Sequence, residues 1–327
     1  MWEEIMMKCG VIGVGHMGKH HTRILTTMKK AKLVGISDID EETGKKIAET
    51  YKCKYFSNYL DLLKETNCIF IATPTNTHRD ISIEAINAGN HIFIEKPISF
   101  DLKEADEIIE KANKSNLILQ VGHIERFNPA IIAAKEVIKN PLFIEAHRFS
   151  PFYGRSIDVS VVLDLMVHDL DITLNTVESP LKTVSAGGVP VLTENVDIAN
   201  ARLEFENGAI ANITASRISL MKVRKIRFWQ KYSYVSVDCL NKKVNIFHRE
   251  LKNDEPEINE EEIHVSTEEP LFLQNKAFID ACLGKTPVKM KGEDARNALA
   301  LAHIILEEIK TRAKKVNIDL SLDKNEQ

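Results

Sequence analysis

Four ionisable residues, Asp164, His168, Asp169 and Asp171, interrupt the otherwise apolar stretch VVLDLMVHDLDITLN at 161–175. An Asp and a His four residues apart can satisfy each other inside a core. They can also contribute to a metal site, or form an acid–base pair in which a carboxylate orients an imidazole titrating near neutral pH. Metal is the weakest of the three, because neither an H-x-x-E-H arrangement nor a cysteine partner stands nearby. Read as one helix turning about 100° per residue, Asp164, His168, Asp171 and Asn175 form a narrow stripe, with Asp169 and Thr173 elsewhere. A helix this apolar is buried, and buried carboxylates and imidazoles need partners or a ligand. The stripe is therefore expected to face a polar cavity.

A second constellation lies near the start. The apolar run CGVIGVG (9–15) leads into Gly13-Val14-Gly15-His16-Met17-Gly18. A glycine-rich G-x-G-x-x-G is weak by itself, but here it follows a strand pattern, opens a helix pattern, and Asp38 stands about 20 residues past Gly18. Gly13 permits the tight turn, Gly15 lets a pyrophosphate approach the backbone, and Gly18 lets helix and strand pack closely. The helix start offers free N–H groups and partial positive charge to phosphates. A carboxylate at Asp38 accepts hydrogen bonds from ribose hydroxyls and repels a 2′-phosphate. No arginine follows it in SDIDEE, so NAD is expected rather than NADP.

The elements that must position these residues follow from periodicity. Apolar runs at 9–15, 31–38, 68–73, 91–96 and 117–123 read as parallel strands, alternating with amphipathic helices such as 101–115. This is an α/β Rossmann dinucleotide-binding domain, expected over 1–122. ATPTNTH (72–78) and EKP (95–97) follow strands, which puts Lys96 at the carboxyl edge of the sheet, where such folds bind ligands. From 123 to 327 the rhythm changes. One helix at 128–139 precedes strand-like runs near 142–150, 182–190, 196–205, 208–216, 222–240 and 243–249. These predict an α+β domain with a large, mostly antiparallel sheet. Asn207-Gly208 predicts a hairpin and Gly187-Gly188 a turn, while the acidic 254–262 reads as a solvated loop.

The composition sets bounds on function. With 327 residues, 44% hydrophobic and 28% charged, the chain suits two globular domains. A net charge of −4 disfavours nucleic acid as the main partner. Five scattered cysteines without a C-x-x-C pair indicate neither a zinc site nor a disulfide framework, and suit a cytoplasmic location. No apolar window is long enough for a transmembrane helix, and the N-terminus does not read as a secretory signal.

Taken together, GVIGVGHMG, ATPTNTH, EKP and VGHIERFNP resemble the Gfo/Idh/MocA family of sugar and cyclitol oxidoreductases, and the resemblance runs through the late helix GEDARNALALAHIILE. Within it, VGHIERFNPAI followed by DVSVVLDLMVHDLDI is most similar to the branch that oxidises the 3-hydroxyl of UDP-N-acetylglucosamine to a ketone, which an aminotransferase can convert to an amine. The resemblance implies a catalytic set of Lys96, Asp164 and His168. It also implies that Thr73, Pro74, Asn76, His78 and Glu95 lie beside the cofactor with His16, Met17 and Lys96, and that subunits pair into a dimer or tetramer. Given a nicotinamide site, acid–base chemistry becomes the preferred reading of Asp164 and His168. His168 would take the hydroxyl proton, Asp164 would orient it and Lys96 would stabilise alkoxide charge, although the Lys96 and His168 roles could be exchanged.

The candidate substrate contacts are Glu125, Arg126 and Asn128 at the domain junction, Tyr153, Arg155 and Asp158 before the His168 helix, and Arg217. Arginines suit a diphosphate because their planar fork binds oxyanions bidentately. An inositol or other free-sugar dehydrogenase is the alternative enzyme, and an NAD-binding regulatory module is the non-enzymatic one.

Overall fold

The computed structural model describes residues 6–154, 159–252 and 255–315. It divides into two compact units, 1–127 with 268–296, and 128–267 with 297–327. The chain thus returns to its first unit late, whereas the sequence suggested a single change at 122/123.

In the first unit the elements run β1 (Met7–Ile12), α1 (Gly18–Thr27), β2 (Ala31–Ser37), α2 (Glu41–Thr50), β3 (Lys54–Phe56), α3 (Tyr59–Glu65), β4 (Cys68–Ile71), α4 (His78–Asn87), β5 (His91–Ile94), α5 (Leu102–Lys114) and β6 (Leu119–Val121). All pairings are parallel, in the order β3-β2-β1-β4-β5-β6. This is the doubly wound order, whose direction reverses between β1 and β4, where such sheets place their ligand. The predicted strands are present. The three-residue β3 escaped notice because KYF is too short to show a period. Helix α5 buries Ala105, Ile108, Ile109 and Ala112, and its N-cap Asp101 accepts the Glu104 N–H.

In the second unit α6 (Pro129–Val137) and β7 (Phe143–Phe149) precede a π-helical turn at Val162–Met166, which runs into α7 (Val167–Val177). Then follow β8 (Leu181–Val189), β9 (Ile198–Phe205), β10 (Ile210–Ser216), β11 (Val223–Gln230), β12 (Ser233–Asp238), β13 (Lys243–Lys252) and β14 (Glu255–Ile263). The eight-stranded sheet has the order β14-β13-β12-β11-β7-β10-β9-β8, antiparallel except for β7 with β10. Helix α8 (Pro270–Cys282) returns to the first unit, and α9 (Gly292–Lys315) begins there and continues into the second. The inner face of the large sheet packs Ile144, Ala146, Ile226, Phe228, Val235 and Val237 with residues of α6, α7 and α9 into one core.

Three local expectations need correction. The acidic segment is not a loop but the exposed edge strand β14, whose glutamates discourage further strand pairing. Gly187-Gly188 is no turn, since it lies within β8, where a Cβ on Gly188 would stand 2.7 Å from Val196 Cγ1 and 2.9 Å from Ile198 O. The run at 222–240 is a β11–β12 hairpin rather than one strand. The Asn207-Gly208 turn is as expected, with Gly208 at φ +84°.

Candidate active site

The glycine-rich loop connects β1 to α1 in the geometry its residue types require. Gly13 has φ +81°, and a Cβ there would also press on the backbone of Ala72. A Cβ on Gly18 would lie 1.8 Å from Gly13 O, so only glycine lets the helix start against the strand. A Cβ on Gly15 would meet nothing within 4 Å, which leaves the approach that a pyrophosphate needs. No side chain caps the start of α1. Asp38 follows β2 and is aimed by two backbone donors, Val14 N–H to Oδ2 at 2.6 Å and Asp40 N–H to Oδ1 at 2.9 Å. With Asp40, Glu41 and Glu42 next in the chain, this corner favours ribose hydroxyls over a 2′-phosphate. These residues fit a dinucleotide. Gly13, Gly15, Gly18 and Asp38 would hold it, beside the exposed His16 and the half-buried Met17.

Two turns follow strands at the same edge, and the one after β4 lies against this loop, where a Cβ on Gly13 would stand 2.8 Å from Thr73 Cγ2. After β4, Thr73 and Pro74 lead into a short 3₁₀ turn, Thr75–Thr77, which contains Asn76. After β5 come Glu95, Lys96 and Pro97, with a cis Lys96–Pro97 bond. His78 is only 1% exposed and spans both turns, its Nε2 2.9 Å from Thr73 O and its Nδ1 2.9 Å from Pro97 O. His78, expected beside the cofactor, is buried between two backbone carbonyls and ties the turns together. Burial pushes its imidazole below the usual histidine range, against the pull of those two acceptors.

In the second unit, Ser160 starts the segment that carries Asp164 and His168. Its Oγ accepts the Val162 N–H and its carbonyl the Leu163 and Asp164 N–H groups. The π turn follows, closed by Val167 N–H to Val162 O, and this alters the wheel drawn from sequence. An i→i+5 turn is wider than an α turn, so Asp164 and His168 are not phased as 100° per residue requires. The stripe also divides by environment. Asp164 is half-buried, His168 is 9% and Asp171 1% exposed, and Asn175 accepts a hydrogen bond from Lys135 of α6. Asp169 is buried against Arg148 of β7 in a bidentate pair, Nε–Oδ2 and Nη2–Oδ1 both 2.8 Å. Alternation along β7 carries the signal for that partner, because Ile144, Ala146 and Arg148 share its inward face.

The expected substrate contacts separate in the same way. Asn128 caps α6, accepting the Ala130 N–H and donating to Cys239 O, so its amide serves the second unit's own framework. Arg217, 5% exposed, donates to Val159 O and sits 3.4 Å from Asp197, whose carboxylate also gathers the N–H groups of Val191, Leu192 and Thr193. It latches loops rather than presenting an open fork. Arg126 pairs with Asp294 at 3.0 Å within the first unit, and Glu125 is buried. Tyr153 is exposed, while Arg155 and Asp158 lie outside the described residues. Among the described residues no group of three or more His, Cys, Asp or Glu side chains is arranged to hold a metal.

Sequence reasoning passed over His21. It is wholly buried on α1, its Nε2 2.8 Å from Glu95 Oε1 and its Nδ1 2.9 Å from Asn275 Oδ1 of α8. The signal was present, since His21 shares the inward face of α1 with Gly18, Thr22 and Leu25.

A doubly wound sheet with this loop and a carboxylate ending β2 defines a nicotinamide-dinucleotide-binding protein. The family described as "Oxidoreductase family, NAD-binding Rossmann fold" matches residues 7–123, and the Gfo/Idh/MocA C-terminal domain matches residues 144–229. The chain belongs to the Gfo/Idh/MocA oxidoreductase family. It is 36% identical over 302 residues to the UDP-N-acetylglucosamine 3-dehydrogenase of Acidithiobacillus ferrooxidans, covering 91% of this chain and 96% of that one. A solved structure of that enzyme is 34% identical, with a TM-score of 0.88 over 94% of this chain and 99% of the other. The myo-inositol 2-dehydrogenase of Thermotoga maritima is 25% identical, covering 91% and 94%. The NAD(+)-dependent scyllo-inositol 2-dehydrogenase of Bacillus subtilis is 29% identical over 235 residues, 66% of this chain and 69% of the other.

Proposed function

We propose that this protein oxidises a secondary hydroxyl of a sugar nucleotide to a ketone, with NAD as acceptor, and that the substrate is UDP-N-acetylglucosamine oxidised at its 3-hydroxyl. The observation that carries the reading is the 36% identity to an enzyme of that activity, sustained over 91% of this chain, against 25% for the inositol dehydrogenase of equal coverage. NAD, when bound, supplies the hydride acceptor. The chain's own residues have the remaining tasks. His168 takes the hydroxyl proton, and Asp164 fixes the ring's orientation and favours its charged form. Lys96 donates to the same oxygen and stabilises developing negative charge, a role in which a fixed donor is worth several kcal/mol. Arg126, Tyr153, Arg155 and Asp158 are the candidates for contacting the sugar nucleotide. Arg217 enters this list only through its hold on the surrounding loops.

The open face of the large sheet supports self-association. Phe143, Trp229, Tyr234 and Phe247 form a half-buried aromatic row there, with centroid separations of 5.3, 5.9 and 4.3 Å. A homodimer or homotetramer would cover it, which sedimentation at micromolar concentration would detect. Five thiols and no described helix long and apolar enough to cross a membrane accord with a cytoplasmic enzyme. A ketone product is a substrate for a sugar aminotransferase.

The deciding experiment supplies purified protein with NAD and UDP-N-acetylglucosamine and follows NADH absorbance, with an aminotransferase and glutamate added to draw off the ketone. Turnover with UDP-N-acetylglucosamine and none with inositols is expected. Turnover or thermal stabilisation with inositols alone would overturn the substrate assignment.

A further inference from the structure

Lys96 cannot work unless the turn that carries it is held in place, and the first unit contains a buried polar device at that turn. His21 has no exposed surface and packs on Phe70 and Phe93, with ring centroids at 5.3 and 5.0 Å. A polar ring placed among aromatic ones, with its hydrogen-bonding atoms withdrawn from water, is unfavourable unless both are paired. Both are. Asn275 presents its amide oxygen, an acceptor only, so Nδ1–H donates to it at 2.9 Å. Nε2 meets Glu95 Oε1 at 2.8 Å, and one proton lies between them whichever group carries it.

Glu95 passes this hold to its neighbour. Its second oxygen, Oε2, accepts the backbone N–H of Lys96 at 3.2 Å. The carboxylate lies so close to the end of β6 that a Cβ on Gly122 would stand 2.8 Å from Oε2, so Gly122 provides its seat. On the far side of Lys96, His78 faces the Pro97 carbonyl. The lysine therefore lies between a carboxylate held by one buried imidazole, rooted in the helix that follows the glycine-rich loop, and a carbonyl that faces a second.

We propose that His21 is a positioning residue for Lys96: through Glu95, and anchored by Asn275, it sets where the lysine ammonium emerges at the carboxyl edge. This rests on the reading that Lys96 serves the reaction, and the two are separable by a double-mutant cycle of His21→Phe and Lys96→Met. Phenylalanine retains the aromatic packing and removes both hydrogen bonds. His21→Phe is expected to lower kcat by roughly 10- to 100-fold with KM for both substrates within about threefold, as for a catalytic group displaced by about an ångström.

In the Lys96→Met background the same change should have no further effect, because the group that His21 places is already gone. His21→Gln, whose amide can still donate to Glu95, should lose less than His21→Phe. Hydrogen exchange at the Lys96 amide should quicken in His21→Phe, and fluorescence titration should show NAD binding intact. Equal losses from His21→Phe in both backgrounds, or an unchanged kcat, would overturn the positioning role while leaving Lys96 in place. An unchanged kcat in Lys96→Met would instead remove the reading on which the role rests. Should His21→Phe not fold, Asn275→Ala removes only the distal anchor, and the same cycle decides.

Discussion

The first unit fixes Lys96 with neutral or shared-proton contacts to a turn, whereas the second fixes the His168 segment with a fully charged pair on a helix. His21 and His78 brace the turn from both sides, and the turn itself has no regular hydrogen-bonded structure to lose. Arg148 and Asp169, each 2% exposed, pin α7 to the inner face of the large sheet one residue after His168. A braced turn holds a single side chain at a sheet edge. A pinned helix fixes the rotation of every residue on it. The expected penalties differ accordingly, since removing a brace displaces one group, while removing half of a buried ion pair leaves an uncompensated charge in a core.

The largest effect belongs to the proposed chemistry itself. Lys96→Met and His168→Ala should each reduce turnover by roughly 10²- to 10⁴-fold while leaving NAD binding within a small factor. Stopped-flow NADH formation and a fluorescence titration check this, and near-wild-type turnover in either variant would end the assignment.

Asp169→Ala sharpens the comparison from the second side. Leaving Arg148 buried and unpaired should destabilise the second unit by about 3–5 kcal/mol, and Arg148→Met with Asp169→Leu should recover most of it. Urea unfolding measures both. A loss below about 1 kcal/mol, in the range of exposed pairs, would mean that the pair does not pin α7.

A smaller change is expected at the cofactor corner. Asp38→Ala should weaken NAD binding roughly 10-fold, the value of one charge-assisted hydrogen bond, and narrow the preference over NADP. An unchanged affinity would leave Asp38 as no more than a loop cap.

The smallest effect concerns His78. Its folded pKa lies below the ordinary 6.5 because burial penalises the charged ring. The unfolded chain therefore binds the proton first. The stability this contributes is fully present above pH 6.5 and is lost as pH falls through the folded value. Unfolding midpoints measured from pH 7 downward should fall less steeply in His78→Gln. Parallel curves would show that burial of His78 does not set the acid sensitivity.

The strands of the first unit, the glycine loop and Asp38 were legible because each obeys a local rule: continuous apolar runs for covered parallel strands, and glycine where φ is positive or atoms collide. The α7 segment shows where such rules stop. Its apolar pattern announced a buried helix correctly, but wheel geometry assumes one residue spacing throughout, and the π turn at Val162–Met166 breaks that assumption at Asp164. Asn128, Arg217 and His78 are expected as ligand contacts from the domain junction, the oxyanion-binding fork and the family resemblance respectively. The fold also gives them structural work, as a helix cap, a latch and a brace, each with a partner distant in sequence.

The two kinds of sheet, the dinucleotide loop, the carboxylate that favours NAD and the family were all readable from residue types and their spacing along the chain. How the functional groups are held emerged from the packing of distant segments. His21 meets Glu95 across 74 positions and Asn275 across 254, while Arg148 meets Asp169 across 21. Local periods mark His21 and Arg148 as inward-facing but do not encode which partner each one meets. The pairings exist because a buried charge or imidazole must find a partner, and packing alone determines which partner lies within reach.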